Sequence, residues 1–386
     1  MKNRKRLPAL LLSLALAVSL CACGAGEPEG SPSAGASQDP DASPSIEVDL
    51  TKDAVAFSAG LSGENILLTV NGEDISADLF LYFLYDSCDW LIYQYYYTYW
   101  SLPDLEPFAK LLLDDAVDVA AYHTVLRQKA AELGCLPTDA QVQEAKDKLL
   151  ADGQEYYDLQ KAAYGLSDRS MDYLSTFSCY YENLLDAMIP AATGEMLNGY
   201  VYQVKHILLK TVDSQNQPLS DEEIAAQRAL AEDILAQLQA AEGEELPVLF
   251  DELMNEYSED GRDENGDLYS PDGYTAVPGD MVTEFEEASL ALPIGGLSGI
   301  VESSYGYHII LRGEVADPES YADDCRVYLM DKELRALTKT AEITRTAELD
   351  ALDVPDFYER YTAYQNAVKE RYEASGSGDP DGGAVG

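Results

Sequence analysis

The sequence predicts an α+β chain in which a module of strands and helices is set between two helical stretches. Three observations carry that prediction. Residues 51–199 and 316–375 read as helical runs with start and stop signals, whereas between Val201 and Val315 apolar strand-like runs alternate with helices and turns. The folded part is bracketed by segments rich in Gly, Ser, Pro and acid, which bury too little apolar surface to fold.

In chain order, "MKNRKR" is a basic start, "LPALLLSLALAVSL" an apolar run too short to span a bilayer, and "LCAC" follows at once. Residues 1–22 are therefore expected to be a lipoprotein signal peptide. Cys23, with Ala22 before it and Leu20 three places back, is expected to be the lipid-carrying N-terminus. Residues 23–50 are expected to form a flexible tether. "NILLTVNG", 65–72, alternates as a strand does and ends in an Asn-Gly turn. Helices are expected over "ADLFLYFLYDSCDWLIYQYYYTYW", over "PFAKLLLDDAVDVAAYHTVLRQKAAELG" up to Gly134, from Thr138 to Gly153, and over "SDRSMDYLSTFSCYYENLLDAMI" as one element. In the module, "VKHILLK" and "YGYHIILRG" are strand-like, and Ser220 and Glu223 form a capping box that opens a long helix. The expected limits are 51–199 for the first helical region, 200–315 for the module, 316–375 for the second helical region and 376–386 for a disordered tail.

Composition narrows the function. Twenty-five basic against 70 acidic residues give a net charge of −45, which excludes nucleic acid, whose phosphates need clusters of Lys and Arg. The same field keeps the body off anionic lipid, so an anchor on Cys23 would have to hold it at a membrane. Cys88, Cys135, Cys179 and Cys325 are scattered with no CxxC, which speaks against a zinc or thioredoxin-type motif and selects no disulfide pairing.

Only three histidines occur, and two of them, His206 and His308, carry the same His-Ile neighbourhood about a hundred residues apart. Between them come "YSED", "NGDL" and "GDMVTEFEEASLAL", and "GGLSGIVESSYGYHIIL" closes the series. In this order the motifs resemble a parvulin-type peptidyl-prolyl isomerase module over most of 201–315. With the lipobox and the helical flanks, the chain resembles PrsA-type foldase lipoproteins and, more loosely, SurA chaperones.

The resemblance implies a small antiparallel sheet with surrounding helices, inserted in a helical chaperone-like domain. It further implies paired hydrogen-bonded histidines at His206 and His308, an acidic side chain facing the bound imide at Asp260, and a proline pocket of Leu268, Met281 and Phe285. Ser303 and Tyr305 would orient His308. The implied chemistry, rotation about an X-Pro bond, breaks no bond, so no metal and no cofactor is required. The implied partners are unfolded or partly folded exported polypeptides containing X-Pro bonds, met on the outer face of a membrane. A fold retained without activity, serving only to hold unfolded chains, is the alternative.

Three features keep a second reading. His123 reads as a core histidine on its helix. "GRDENGDLYSPD", 261–272, approaches a calcium loop through Asp263, Asn265 and Asp267, but Gly261 and Asp272 stand where stronger ligands belong. "LIYQYYYTYW", 91–100, reads either as a surface for unfolded chains or as helix packing. "YSPDGYTAVPGD", between Leu268 and Met281, is longer than the parvulin pattern, so the pocket rim is expected to be reshaped there.

Overall fold

The computed structural model describes residues 46–375 apart from 152 and 242. The expected signal peptide (1–22), the expected lipid site Cys23 and the expected tail (376–386) lie outside the described residues. The chain divides into two compact units. One joins the chain up to Met188 with the chain from Asp331 onward, and the other is Ile189–Met330. The second therefore extends beyond the expected 200–315 on both sides.

In the first unit, α1 (Ala54–Ser58) starts where Asp53 accepts a 2.7 Å hydrogen bond from the Ala56 N–H. Strands β1 (Ile66–Val70) and β2 (Glu73–Ser76) form a hairpin whose Asn71 and Gly72 both take positive φ, the turn that Asn-Gly favours. Helices α2 (Ala77–Tyr99) and α3 (Ala109–Glu132) follow, then α4 (Asp139–Leu149), opened by a Thr138–Gln141 capping box, and α5 (Gln154–Tyr164).

The single helix expected over 167–189 is two, α6 (Asp168–Ser175) and α7 (Phe177–Met188). They part at Thr176, whose hydroxyl donates to the Asp172 carbonyl at 2.7 Å and competes with the helical backbone pattern. The expected tether also ends earlier than residue 50, since Val48 and Leu50 pack against this unit's core. That core gathers Phe80, Phe83, Leu112 and Val117 with Phe357 and Tyr361 from the far end of the chain.

The second unit opens with α8 (Gly194–Asn198) and β3 (Tyr202–Lys210). Helix α9 (Asp221–Ala240) carries three acids in its first turn, where the helix dipole favours them, behind the Ser220 cap. Next come α10 (Glu245–Tyr257), β4 (Tyr274–Ala276), α11 (Thr283–Ala291), β5 (Val301–Ser303) and β6 (Gly306–Gly313). The strands form an antiparallel sheet in the order β4-β3-β6-β5.

The β3–β6 register sets Leu208 opposite His308 and His206 opposite Ile310. Since side chains alternate across a strand, one face holds Ile207, Leu209, Tyr307, Ile309 and Leu311, packed on Ile234 and Leu238 of α9 and Phe250 and Leu253 of α10. The other face carries Tyr202, Val204, His206, His308, Ile310 and Arg312, with Phe285 of α11 packed on it. Buried Arg312 fixes α11 there, donating to the carbonyls of Ser289, Leu290 and Leu292 at 2.8–3.2 Å and to that of Asn198 at 2.5 Å.

Helix α12 (Ala322–Thr338) crosses the limit between the units. Strand β7 (Ile343–Arg345) then pairs antiparallel with β1, making a three-stranded sheet in the first unit. Helices α13 (Ala347–Asp350) and α14 (Val354–Ala374) complete the described chain.

Candidate active site

Positions on β3 and β6 bring the two histidines together. They lie on the same sheet face and diagonally across the strand pair, within reach of ring side chains. Their rings stack at 5.3 Å and 13°, with His206 Nδ1 3.1 Å from His308 Nδ1. Phe285 sets its ring edge-on to both, at 5.0 Å from His206 and 5.3 Å from His308.

The segment after α10 delivers Asp260. Leu208 N–H donates to Ser258 Oγ at 3.2 Å and Glu259 N–H to the Leu208 carbonyl at 2.8 Å, which ties residues 258–260 to β3. Arg262 reaches back to the carbonyls of Ser258, Asn255 and Gly266, holding the turn closed. Asp260 Oδ2 then lies 2.8 Å from His206 Nε2 and accepts the Tyr274 hydroxyl at 2.6 Å.

Tyr274 arrives there because Gly273 precedes it. With φ of 78°, a Cβ on Gly273 would lie 2.2 Å from the Val204 carbonyl oxygen, so only glycine lets β4 approach β3 this closely. At the opposite end, His308 Nε2 is 2.7 Å from Ser303 Oγ, which accepts the Tyr305 N–H at 3.1 Å.

These contacts form one chain. Ionised Asp260 can only accept, so His206 donates from Nε2. With both imidazoles neutral, His206 Nδ1 accepts from His308 Nδ1–H, and His308 Nε2 accepts from the Ser303 hydroxyl. Every hydrogen has an acceptor, and every link runs toward Asp260.

The electrostatics agree with this direction. Burial, with the neighbouring His206, pushes His308 down to about 4, so it stays neutral near pH 7. Burial works to raise the Asp260 carboxyl, but hydrogen bonds from His206 and Tyr274 outweigh it and hold the group below its ordinary range. Burial and the bond to Asp260 push the Tyr274 hydroxyl up, which keeps it a donor.

Of the residues named from sequence, His206, Asp260, His308, Phe285 and Ser303 meet in this cluster. Met281 packs with Phe285 in the same apolar group. Leu268 does not join them: it packs with the cluster on the opposite sheet face, beside α9 and α10. Tyr305 gives the site only its backbone N–H, and its side chain is exposed. The sequence reading missed Ser258 and Tyr274. A signal for Tyr274 existed in "PDGYTA", where a Pro-Asp-Gly turn leads into a short strand. In the calcium-like loop, Asp263 Oδ1 is taken by the N–H groups of Asn265 and Asp267, at 2.8 and 2.9 Å, in a turn closed on itself.

Comparison of the sequence with known proteins finds a family over the part of the chain that holds this site. Residues 195–316 fit the PPIC-type PPIASE domain. The foldase protein PrsA of Halalkalibacterium halodurans is 33% identical over 168 residues, covering 42% of this chain and 44% of that protein. The chaperone SurA of Chromohalobacter salexigens is 38% identical over 110 residues, covering 28% and 21%. Among solved structures, peptidylprolyl isomerase PrsA from Bacillus cereus aligns at 20% identity over 80% of this chain and 93% of that one, with a TM-score of 0.32. The matches span less than half the length of these curated relatives. Residues 195–316, around the paired histidines, are a parvulin-type, PPIC-class domain, and the chain as a whole is similar to PrsA-type foldases.

Proposed function

We propose that this protein is a foldase that isomerises X-Pro bonds in exported polypeptides, held by a lipid on Cys23 at the outer face of a cytoplasmic membrane. The hydrogen-bonded chain from Ser303 to Tyr274 through His308, His206 and Asp260, with Phe285 and Met281 beside it, carries the reading. Resonance opposes rotation of a peptide bond by about 18–20 kcal/mol, and X-Pro isomers exchange slowly enough to limit folding. A catalyst need only bind the twisted imide better than the planar one. The twisted form has lost charge separation, so an apolar surface such as Phe285 and Met281 favours it. An ionised carboxylate near the imide oxygen disfavours the charge-separated planar form, and Asp260 is kept ionised by the bonds it accepts. The histidines fix Asp260 in place and move no proton.

The test is a proline-isomerisation assay on the full chain with short X-Pro peptides. Asp260→Asn keeps the size of the side chain and removes its charge, and should lower kcat/KM by about tenfold, or about 1.4 kcal/mol. Full activity in that variant would refute the electrostatic role. Leu268, turned to the other sheet face, favours one second reading: a holdase whose pocket is incomplete. A chain that suppresses aggregation but leaves isomerisation at the uncatalysed rate would establish it. For the anchor, Cys23→Ser should release the protein from membranes, and unchanged retention would remove that part.

A further inference from the structure

Helix α2 has two unlike halves. From Ala77 to Cys88 most of its side chains are buried in the core of the first unit. Beyond Asp89, Leu91 and Ile92 still pack against that core, but Trp90, Tyr93, Tyr97, Tyr99 and Trp100 are 44–74% exposed. Trp90, Tyr93, Tyr97 and Trp100 recur at three- and four-residue spacing, so they share one helix face. The rings of Tyr93 and Tyr97 lie 4.6 Å apart, and Trp100 continues the row at 6.5 Å from Tyr97.

The charged residues next to this row in the sequence are mostly acidic. Asp86 and Asp89 extend the same spacing toward the helix start, and Asp104 and Glu106 follow its end. Between Ala77 and Leu126 the only Lys or Arg is Lys110, and Asp114 holds its ammonium. A row of open aromatic faces edged by carboxylates suits a ligand that brings both apolar groups and positive charge. Rings attract cations through their faces, and tyrosine offers contact area at low entropy cost.

We propose that this face of α2 binds extended polypeptide segments in which apolar side chains alternate with lysine or arginine. The inference rests on the proposed foldase function and names the chemistry of the polypeptides that the helical unit would hold. A second copy of the chain is a poor occupant, because two bodies of charge −45 repel one another.

The chain's two tryptophans, Trp90 and Trp100, both lie on this face, so tryptophan emission, excited apart from that of the 27 tyrosines, reports there. The full chain is titrated with two peptides about a dozen residues long and of one apolar pattern, interleaved with Lys in one and Glu in the other. The Lys peptide should shift the tryptophan emission and bind about tenfold more tightly than the Glu peptide, the gap narrowing as salt approaches about 0.5 M. Tyr93→Ala with Tyr97→Ala, both at exposed positions, should weaken the Lys peptide about fivefold and leave isomerase activity unchanged.

Equal affinity for the two peptides overturns the proposal, and so does binding that neither moves the emission nor responds to the tyrosine changes. A dimer in light scattering that the same changes turn to monomer would give the face to a second copy and also overturn it. Loss of isomerase activity with peptide binding intact would count against the catalytic reading alone.

Discussion

All three histidines are buried, one in the first unit and two in the second, and their surroundings have little else in common. His123 is fully enclosed, and neither ring nitrogen has a hydrogen-bond partner. It stacks on Phe177 at 3.8 Å, with Phe83 at 4.9 Å and Tyr173 at 6.3 Å. In the second unit all four ring nitrogens of His206 and His308 are hydrogen-bonded. Burial alone therefore says little about what an imidazole does. In an aromatic cage it serves as one more flat ring, kept neutral because nothing there could stabilise its charge. Between a serine and a carboxylate, it fixes the direction of a network.

The comparison breaks most sharply at the middle of the chain of bonds. His206→Phe keeps a flat ring with Phe285 edge-on to it, and leaves His308 Nδ1 and Asp260 each short of a partner. Activity should fall about tenfold, as far as removing the Asp260 charge itself, or about 1.4 kcal/mol. Stability of the second unit should fall by about 2–4 kcal/mol, because buried polar groups lose their bonds. Isomerase assays and denaturation of the full chain measure both. Near-normal values would mean that the histidines merely fill space, as His123 does.

The second test makes the opposite change in the first unit. Burial, with Arg127 nearby, pushes His123 down to about 3, whereas the unfolded chain protonates near the ordinary 6.5. Between those values the unfolded state binds more protons, so stability is lost as pH falls from 6.5 toward 3 and is flat above. At pH 4.5 the loss due to this group should be about 2–3 kcal/mol. His123→Phe removes it. Trp90 and Trp100 both belong to the first unit, so denaturation followed by tryptophan emission at pH 7 and pH 4.5 reads it selectively. The wild-type minus variant difference should change between the two pH values, and any repacking cost common to both cancels. A difference independent of pH would show that His123 finds a partner for its proton.

How far the sequence alone reaches differs between the units for the same reason. The histidine pair was legible because two strands with one His-Ile pattern can present both rings on one face. The Asn-Gly hairpin and the Ser220 and Thr138 caps were legible because each is decided within a few residues. Strand β7 was not: "ITR" has no pattern of its own and is a strand only because β1 offers an edge. The break at Thr176 turned on one hydroxyl choosing a backbone carbonyl. Leu268 looked like a pocket residue from its motif, but a short turn decides which sheet face it meets, and motifs do not record that. Tyr274 was missed because its partner, Asp260, lies across a turn whose closure depends on Gly273 passing close to β3.

The mildest and most discriminating change concerns that tyrosine. Tyr274→Phe removes one hydroxyl and leaves Asp260 its bond from His206, so the fold should lose only about 1 kcal/mol. Asp260 is held below the ordinary carboxylate range against the effect of burial, and the Tyr274 hydroxyl is one of the two bonds that do so. Without it the carboxyl should move upward, and the proton that silences the site should bind at higher pH. A carboxylate with a depressed pKa is fully ionised above its unfolded value, so near pH 7 the variant should keep most of its rate, falling about threefold at most. On the acid side the profiles should separate, with the variant losing activity at a higher pH than the parent. Measuring kcat/KM from pH 7 down to the point where the fold gives way distinguishes the alternatives. A uniform loss at every pH would mean that Tyr274 acts by shape, and an unmoved acid limb would mean that His206 alone keeps Asp260 charged.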